Sequence, residues 1–186
     1  MLSFTSGLRA DNEAFAIFVN EKYDFQDKKG VLRGTVVQKI NSFLKSLKAK
    51  KKEESISSFD VSDKQKCFII KVKNKFESYW PQENGGLFFS YLKKNTDIKR
   101  IDLYVDSLSL DKDKLISFSS QFIFGFNLKS YTFNKYKTLN KEKINKKINF
   151  KIITFHNNNI ENAYKYYNAI KEGVFLARDL VSEPPN

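Results

Sequence analysis

The most restrictive pattern in the sequence lies in its last thirty residues, 157–186. Apolar residues recur there at spacings of three and four, which places them on one side of a helix of more than twenty residues. Asn158 is the predicted N-cap, with Glu161 in the capping-box position, and Pro184 and Pro185 end the helix. The apolar stripe consists of Ile160, Ala163, Tyr167, Ile170, Val174, Ala177 and Val181.

Gly173 lies inside this pattern, where a glycine destabilises a helix by about 1 kcal/mol relative to alanine. It indicates either a second backbone packed close to the helix or a chance substitution. We expect the helix through Ile170 to pack against the sheet of its own domain, so that Ile170→Ala would cost about 2–5 kcal/mol. We expect Val174, Ala177 or Val181 to be partly exposed, or covered by a second copy of the chain.

Strand and helix patterns alternate along the rest of the chain. The continuous apolar run 14–19 suits a strand buried on both faces, and Asn84-Gly85-Gly86 is interpreted as a turn that leads into a helix. This alternation predicts an α/β fold, with a mixed, largely parallel sheet and helices on both faces. The predicted strands are 2–5, 14–19, 56–61, 66–73, 101–105 and 148–155; the predicted helices are 34–49, one through 87–92 and one through 115–126; 138–147 is a predicted loop.

Two segments carry a resemblance to a known family. The chain reads Gly173-Val174, then Leu176-Ala177-Arg178-Asp179-Leu180-Val181, and then Pro184-Pro185-Asn186. This resembles the segment that joins two domains in the leucyl (cytosol) aminopeptidase family, although Ser182 stands where the family usually has Asn. A second patch, upstream at the family's usual distance, is similar to its Gly, Leu, Tyr, Phe, Tyr-Lys run: Gly125-Phe126-Asn127-Leu128 with Tyr131, Phe133, Tyr136 and Lys137.

The resemblance implies more than the residue pattern does. It implies a macro-like three-layer sandwich for residues 1–156, the family's non-catalytic N-terminal domain, and a long linker helix at 157–186. An absent C-terminal exopeptidase domain would hold two divalent metal ions, Mn or Zn, and the family assembles as hexamers. This segment would then serve inter-domain packing, oligomer assembly or regulation. The implied linker residues are Gly173, Ala177, Arg178, Asp179, Leu180, Pro184 and Asn186.

Catalytic chemistry is not indicated within these 186 residues. The sequence has no HExxH motif, no GxSxG elbow and none of the family's Asn-Thr-Asp-Ala-Glu-Gly-Arg motif, and its 21 acidic residues are scattered. Cys67 is interpreted as a core residue and His156 as a loop residue, because neither has ligands or activating groups near it in sequence. Arg178 and Asp179 are interpreted as an inter-domain salt bridge or cap. We predict no catalytic, cofactor or metal site here.

The net charge of +12 leaves two other functions open. A lysine-rich chain can bind nucleic acid weakly and without specificity, but only four of its 33 basic residues are arginine, the residue favoured for specific recognition. Composition bias is the favoured explanation of the lysines, ahead of nucleic-acid binding. A macro-type nucleotide or ADP-ribose binder is the other alternative, for which seven dispersed glycines supply little of a phosphate-binding loop.

The sequence also favours a location. No apolar run approaches the about 20 residues of a membrane span, and the first residues do not resemble a signal peptide. A single cysteine cannot form an internal disulfide, so a reducing cytoplasm is the default expectation.

Overall fold

The structure is a computed structural model that describes residues 2–8, 12–50, 54–95, 97–133 and 148–183. The chain divides into two compact units. The first comprises residues 1–76, 98–115 and 148–157, and the second comprises 77–97, 116–147 and 158–186. The predicted loop at 138–147, the patch residues Tyr136 and Lys137, and Pro184 to Asn186 lie outside the described residues.

Within the described residues, the first unit contains a six-stranded sheet with the order β1-β6-β5-β2-β4-β3. All neighbouring strands are parallel except β3 and β4, which form an antiparallel hairpin. The predicted α/β class with a mixed, largely parallel sheet is therefore confirmed. The strands are β1 (Leu2–Thr5), β2 (Ala14–Val19), β3 (Ile56–Ser62), β4 (Gln65–Lys71), β5 (Arg100–Tyr104) and β6 (Asn149–Ile153).

The core of the first unit forms around β2. Every residue of Ala14–Val19 is buried, because β2 pairs in parallel with both β4 and β5 and leaves no edge to solvent. Helix α1 (Gly34–Lys50) contributes Ile40, Leu44 and Leu47 to the same core cluster, at the spacing that aligns side chains on one helix face. The apolar run thus forms the central strand, as its composition predicted.

The connections of the sheet change direction at β2. From β2 the chain goes through α1 to β3 and β4 on one side, and from β5 it goes through α3 (Lys112–Lys129) to β6 on the other. The carboxyl ends of β2 and β5 therefore flank a topological switch point. In open α/β sheets, such a point is the usual place for a ligand-binding crevice.

The second unit contains α2 (Trp80–Asn95), α3 from residue 116 and α4 from residue 158 (the whole helix is Asn157–Ser182). Helix α2 begins earlier than the sequence predicted, so the interpretation of Asn84-Gly85-Gly86 as a turn was wrong. Pro81 stands in the first turn, where its missing N–H is not needed. Among the described residues, no helix is both long enough and apolar enough to cross a membrane.

Two glycines allow α2 and α3 to pack closely. A Cβ at Gly85 would overlap the carbonyl oxygen of Phe122, and a Cβ at Gly125 would overlap that of Gln82. Aromatic rings fill the remaining contact: Phe89 meets Phe126 edge-on with centroids 5.2 Å apart. This close contact with α3 explains why Gly85 and Gly86, which were predicted to form a turn, lie inside helix α2.

Candidate interaction surface on the last helix

The inner face of α4 packs against α3 within the second unit. The Asn127 side-chain amide donates to the Tyr164 hydroxyl at 2.7 Å, and the rings of Phe124 and Tyr167 lie 5.1 Å apart. Ile160 and Tyr164 are buried. This first part of α4 is therefore held by α3 within the second unit, and the predicted packing of α4 on the sheet stays a prediction.

Further along, α4 closes over the residues that follow α3. The Tyr131 hydroxyl donates to Asp179 Oδ1 at 2.7 Å, and the Arg178 guanidinium lies 5.3 Å from the centre of the Tyr131 ring. Arg178 Nη1 also donates to the Leu128 carbonyl at 3.3 Å, and Phe175 lies 5.1 Å from the Tyr131 ring. Partial burial and, next, the hydrogen bond to Asp179 raise the pKa of Tyr131.

These contacts refine the interpretation of Arg178 and Asp179. Both side chains engage Tyr131 within this chain. Within the described residues Arg178 and Asp179 hold Tyr131, and their predicted inter-domain role stays a prediction. The sequence carried no signal for this pairing, because Tyr131 and Asp179 are far apart along the chain.

The predicted apolar stripe does not coincide with the contact face throughout. Ile170 is 37% exposed and Val181 is 86% exposed, so the predicted burial of Ile170 was wrong. The contact face instead runs through Tyr164, Lys171 and Phe175. Lys171 is accommodated there because its Nζ donates to Asn168 at 2.9 Å and pairs with Glu172 at 2.9 Å. The expected partial exposure of Val174, Ala177 and Val181 is confirmed.

The opposite side of α4, which we call the outer face, is apolar and exposed. Eight large apolar side chains are exposed among the described residues, and five of them lie on this one face. Such clustering marks an interaction surface, whereas single exposed apolar residues are ordinary. The outer face consists of Tyr166, Ala169, Ile170, Gly173, Leu176, Ala177, Leu180 and Val181.

Three of the predicted linker residues, Gly173, Ala177 and Leu180, belong to the outer face. A Cβ built at Gly173 meets nothing within 4 Å, so this glycine has no close backbone neighbour among the described residues. Arg178 and Asp179 lie beside this face, while Pro184 and Asn186 fall outside the described residues. The assignment of these positions to a linker stays a prediction.

The described residues contain few side chains that could bind a metal ion or act as a nucleophile. Within the described residues, no group of three or more His, Cys, Asp or Glu side chains is placed to hold a metal ion. Cys67 is buried, and burial raises the pKa of its thiol, which leaves it un-ionised. His156 donates its backbone N–H to Thr154 Oγ1 in the turn before α4.

Comparisons with known proteins agree with this architecture. No family model matches the chain. The probable cytosol aminopeptidase of Rhizobium etli is 36% identical over 105 residues, which make up 55% of this chain and 20% of that protein. A mutant of tomato leucine aminopeptidase matches 98% of this chain and 38% of its own, with a TM-score of 0.72 and 16% identity.

A second solved structure defines the fold more narrowly. The macrodomain of Thermus aquaticus DarG matches 83% of this chain and 98% of its own, with a TM-score of 0.52 and 12% identity. At such identities the solved structures show the fold alone, which is macro-like. With the sequence relatives, the likeness becomes more specific: part of the chain is similar in sequence to probable cytosol aminopeptidases, and its fold matches part of a leucine aminopeptidase. It spans about a fifth of the length of the curated relative described above.

Proposed function

We propose that this chain is the non-catalytic N-terminal domain of a cytosol aminopeptidase, a di-metal exopeptidase that removes N-terminal amino acids. The observation that carries the proposal is the similarity to cytosol aminopeptidases over a fifth of their length. The remaining four fifths would include the peptidase domain. The domain would then serve inter-domain packing and assembly, and the whole protein would be a cytoplasmic hexamer like other family members.

The outer face of α4 is the surface we assign to the peptidase domain. Burying apolar area contributes about 25 cal/mol per Å², so exposed Leu176, Leu180 and Val181 would stabilise a docked domain. Gly173 would permit close approach of a second backbone, as Gly85 and Gly125 do between α2 and α3. The outer face is thus the natural contact surface of the inter-domain segment.

The chemistry would reside entirely in the absent domain. Two divalent ions there, Mn or Zn, would polarise the scissile carbonyl and supply the attacking hydroxide. The described residues of this chain offer no cluster of ligands for them. In this proposal the segment would contribute position and stability, and the catalytic groups would come from the peptidase domain.

Two experiments test the proposal. The first reads the encoded residues beyond Asn186, where we expect the family's Asn-Thr-Asp-Ala-Glu-Gly-Arg motif. The second assays the purified chain of residues 1–186 for leucine release from leucyl substrates, with and without Mn²⁺ or Zn²⁺. We expect no release, and metal-dependent turnover by the pure chain would disprove the assignment.

A pair of variants tests the outer face in the full-length enzyme. Leu176 on α4 is 61% exposed and Leu87 on α2 is 55% exposed, so neither should matter unless a partner covers it. We expect Leu176→Asp to lower the melting temperature and Leu87→Asp to leave it nearly unchanged. Equal effects of the two substitutions would count against docking on the outer face.

A further inference from the structure

A pocket of about 400 Å³ lies between the helices of the second unit. It is lined by residues of α2, by the last turn of α3, by Tyr131 just beyond that helix and by Arg178 of α4. Its volume falls within the range of small-molecule sites. None of the outer-face residues lines it, so the pocket is separate from the surface assigned above to the peptidase domain.

Two glycines among the lining residues leave room for a ligand. A Cβ built at Gly86 would have the Gly125 carbonyl oxygen at 3.6 Å and the Lys129 Cβ at 3.7 Å as its nearest neighbours. Without side chains at these positions, a ligand can come close to the helix backbones. Because the tight contact of Gly125 with Gln82 fixes α2 against α3, the pocket is preformed, which lowers the entropic cost of binding.

Arg178 is held in place at one side of the pocket. Its guanidinium lies 5.3 Å from the centre of the Tyr131 ring, and its Nη1 donates to the Leu128 carbonyl at 3.3 Å. A guanidinium has five N–H donors, so most of them remain for a ligand. Its planar fork matches a carboxylate, which it binds through two parallel hydrogen bonds.

The pocket also has a second cation and one carboxylate. Lys129 is the last residue of α3, and Glu83 lies one turn before Gly86 on the facing helix α2. Both side chains are exposed, and none of the ion pairs among the described residues includes Glu83, Lys129 or Arg178. A simple anion would be repelled by the carboxylate and a simple cation by the two basic groups. These charges therefore favour a zwitterion.

The remaining wall of the pocket is apolar. Leu128 and the ring of Tyr131 are half-buried there, beside the guanidinium of Arg178. Covering this wall with an apolar group of the ligand would remove further apolar surface from water. A carboxylate, an ammonium and an apolar side chain on one small molecule together describe a free α-amino acid.

We propose that this pocket binds a free α-amino acid with an apolar side chain. The ligand carboxylate would pair with Arg178 and Lys129, and its ammonium group would pair with Glu83. Its side chain would lie against Leu128 and Tyr131. The binding follows from the pocket alone, and only its meaning rests on the proposed function. An exopeptidase releases ligands of this class as products, so the pocket would sense the product concentration.

The test is an NMR titration of the 186-residue chain at neutral pH with leucine and two of its analogues. 4-Methylpentanoate lacks the ammonium group, and leucinamide lacks the carboxylate. We expect leucine to bind with a Kd on the order of 1 mM and to shift the backbone amide signals of Gly86 and Tyr131. Leucinamide should bind about tenfold more weakly and 4-methylpentanoate about threefold more weakly, as expected for loss of an arginine pair and of an exposed ion pair.

Substitutions in the protein should reproduce the effects of the two analogues. Arg178→Gln should weaken binding of leucine and 4-methylpentanoate about tenfold and leave binding of leucinamide unchanged. Glu83→Gln should weaken binding of leucine about threefold and leave binding of 4-methylpentanoate unchanged. The matched control is Arg33→Gln, which makes the same change of charge at an exposed arginine of the first unit and should alter none of these Kd values.

Three results would overturn the proposal. Equal losses of leucine binding in Arg178→Gln and Arg33→Gln would mean diffuse attraction to a basic protein. Leucine shifts that spare the signals of Gly86 and Tyr131 would place the binding elsewhere, and the absence of any saturable shift would exclude it. The spectra without ligand show whether each variant is folded. All three results leave the proposed aminopeptidase function unaffected, because that is tested by the residues beyond Asn186 and by leucine release.

Discussion

Glycine occurs inside a helix both at the α2–α3 contact and on the outer face of α4, but its surroundings differ. At Gly85 and Gly125 the neighbouring backbone occupies the space that a side chain would need, whereas at Gly173 nothing lies within 4 Å. A glycine inside a helix destabilises it by about 1 kcal/mol, and only a close neighbour offsets that loss. Gly173 has that cost without any visible compensation in the described residues.

The comparison teaches that a helical glycine can mark an interface without identifying its partner. Between α2 and α3 the partner is in the same unit, and aromatic packing surrounds both glycines. On α4 the glycine is surrounded by exposed Ile170, Leu176 and Leu180. We therefore interpret Gly173 as a close-packing position, like Gly85 and Gly125, whose partner is absent. The following experiments test this interpretation.

The largest effect should come from Gly125→Ala. The added methyl group would overlap the Gln82 carbonyl, so the two helices would have to separate. We expect a loss of about 3 kcal/mol or more in the free energy of unfolding, measured by urea denaturation. The matched control is Gly86→Ala, because its Cβ would find its nearest neighbour, the Gly125 carbonyl, at 3.6 Å. Similar melting of both variants would refute the close-packing argument.

The next largest effect should be a difference in stability between substitutions on the inner and outer faces of α4. Ile160 is fully buried on the inner face, so Ile160→Ala should cost about 2–5 kcal/mol. Ile170→Ala on the outer face should cost about 1 kcal/mol or less in this chain. Thermal melts of the two variants make the comparison, and a larger loss for Ile170→Ala would show that the outer face is covered in solution.

Sequence patterns predicted the sheet better than the helices for a physical reason. The run Ala14–Val19 favours a central strand, since it is short, rich in strand-forming residues and apolar on both faces. Helix α2 was misjudged because Trp80-Pro81 and Gly85-Gly86 are turn signals locally, and the contact that overrides them comes from α3. Information of that kind is not present in the neighbouring residues.

The candidate surface was predicted only in part. Spacing identified a long amphipathic helix, but it assigned the stripe through Ile170 to the interior. In the structure Ile170 turns outward, and Lys171 and Phe175 turn inward. An ordinary core-facing stripe and an interface-facing stripe have the same period. The linker resemblance was the one signal that suggested a second face.

A smaller effect is expected at Gly173 itself. Gly173→Ala should stabilise this chain by about 0.5–1 kcal/mol, because alanine favours the helix and its methyl group meets no neighbour. In the full-length enzyme the gain should vanish if a second backbone packs there. Parallel melts of the short and full-length proteins measure the difference, and an equal gain in both would argue against close packing at this position.

The smallest change should be a titration shift at Tyr131. Its pKa is raised, so its contact with Asp179 stabilises the fold at pH values below about 10 and is lost as the pH rises through the raised value. Asp179→Asn removes the negative charge beside the phenol and should lower that pKa. Absorbance titration at alkaline pH measures it, with Tyr131→Phe used to assign the signal. An unchanged titration would show that the contact does not persist in solution.

The pairing of β1 with β6 has a consequence for how this chain is made. Leu2 lies beside Phe150, so β1 is synthesised about 150 residues before its partner β6. At synthesis rates of about 5–20 residues per second, that interval lasts roughly 8–30 s. Until then β5 presents an unpaired edge on a sheet whose centre is already apolar, and nascent chains could associate through it.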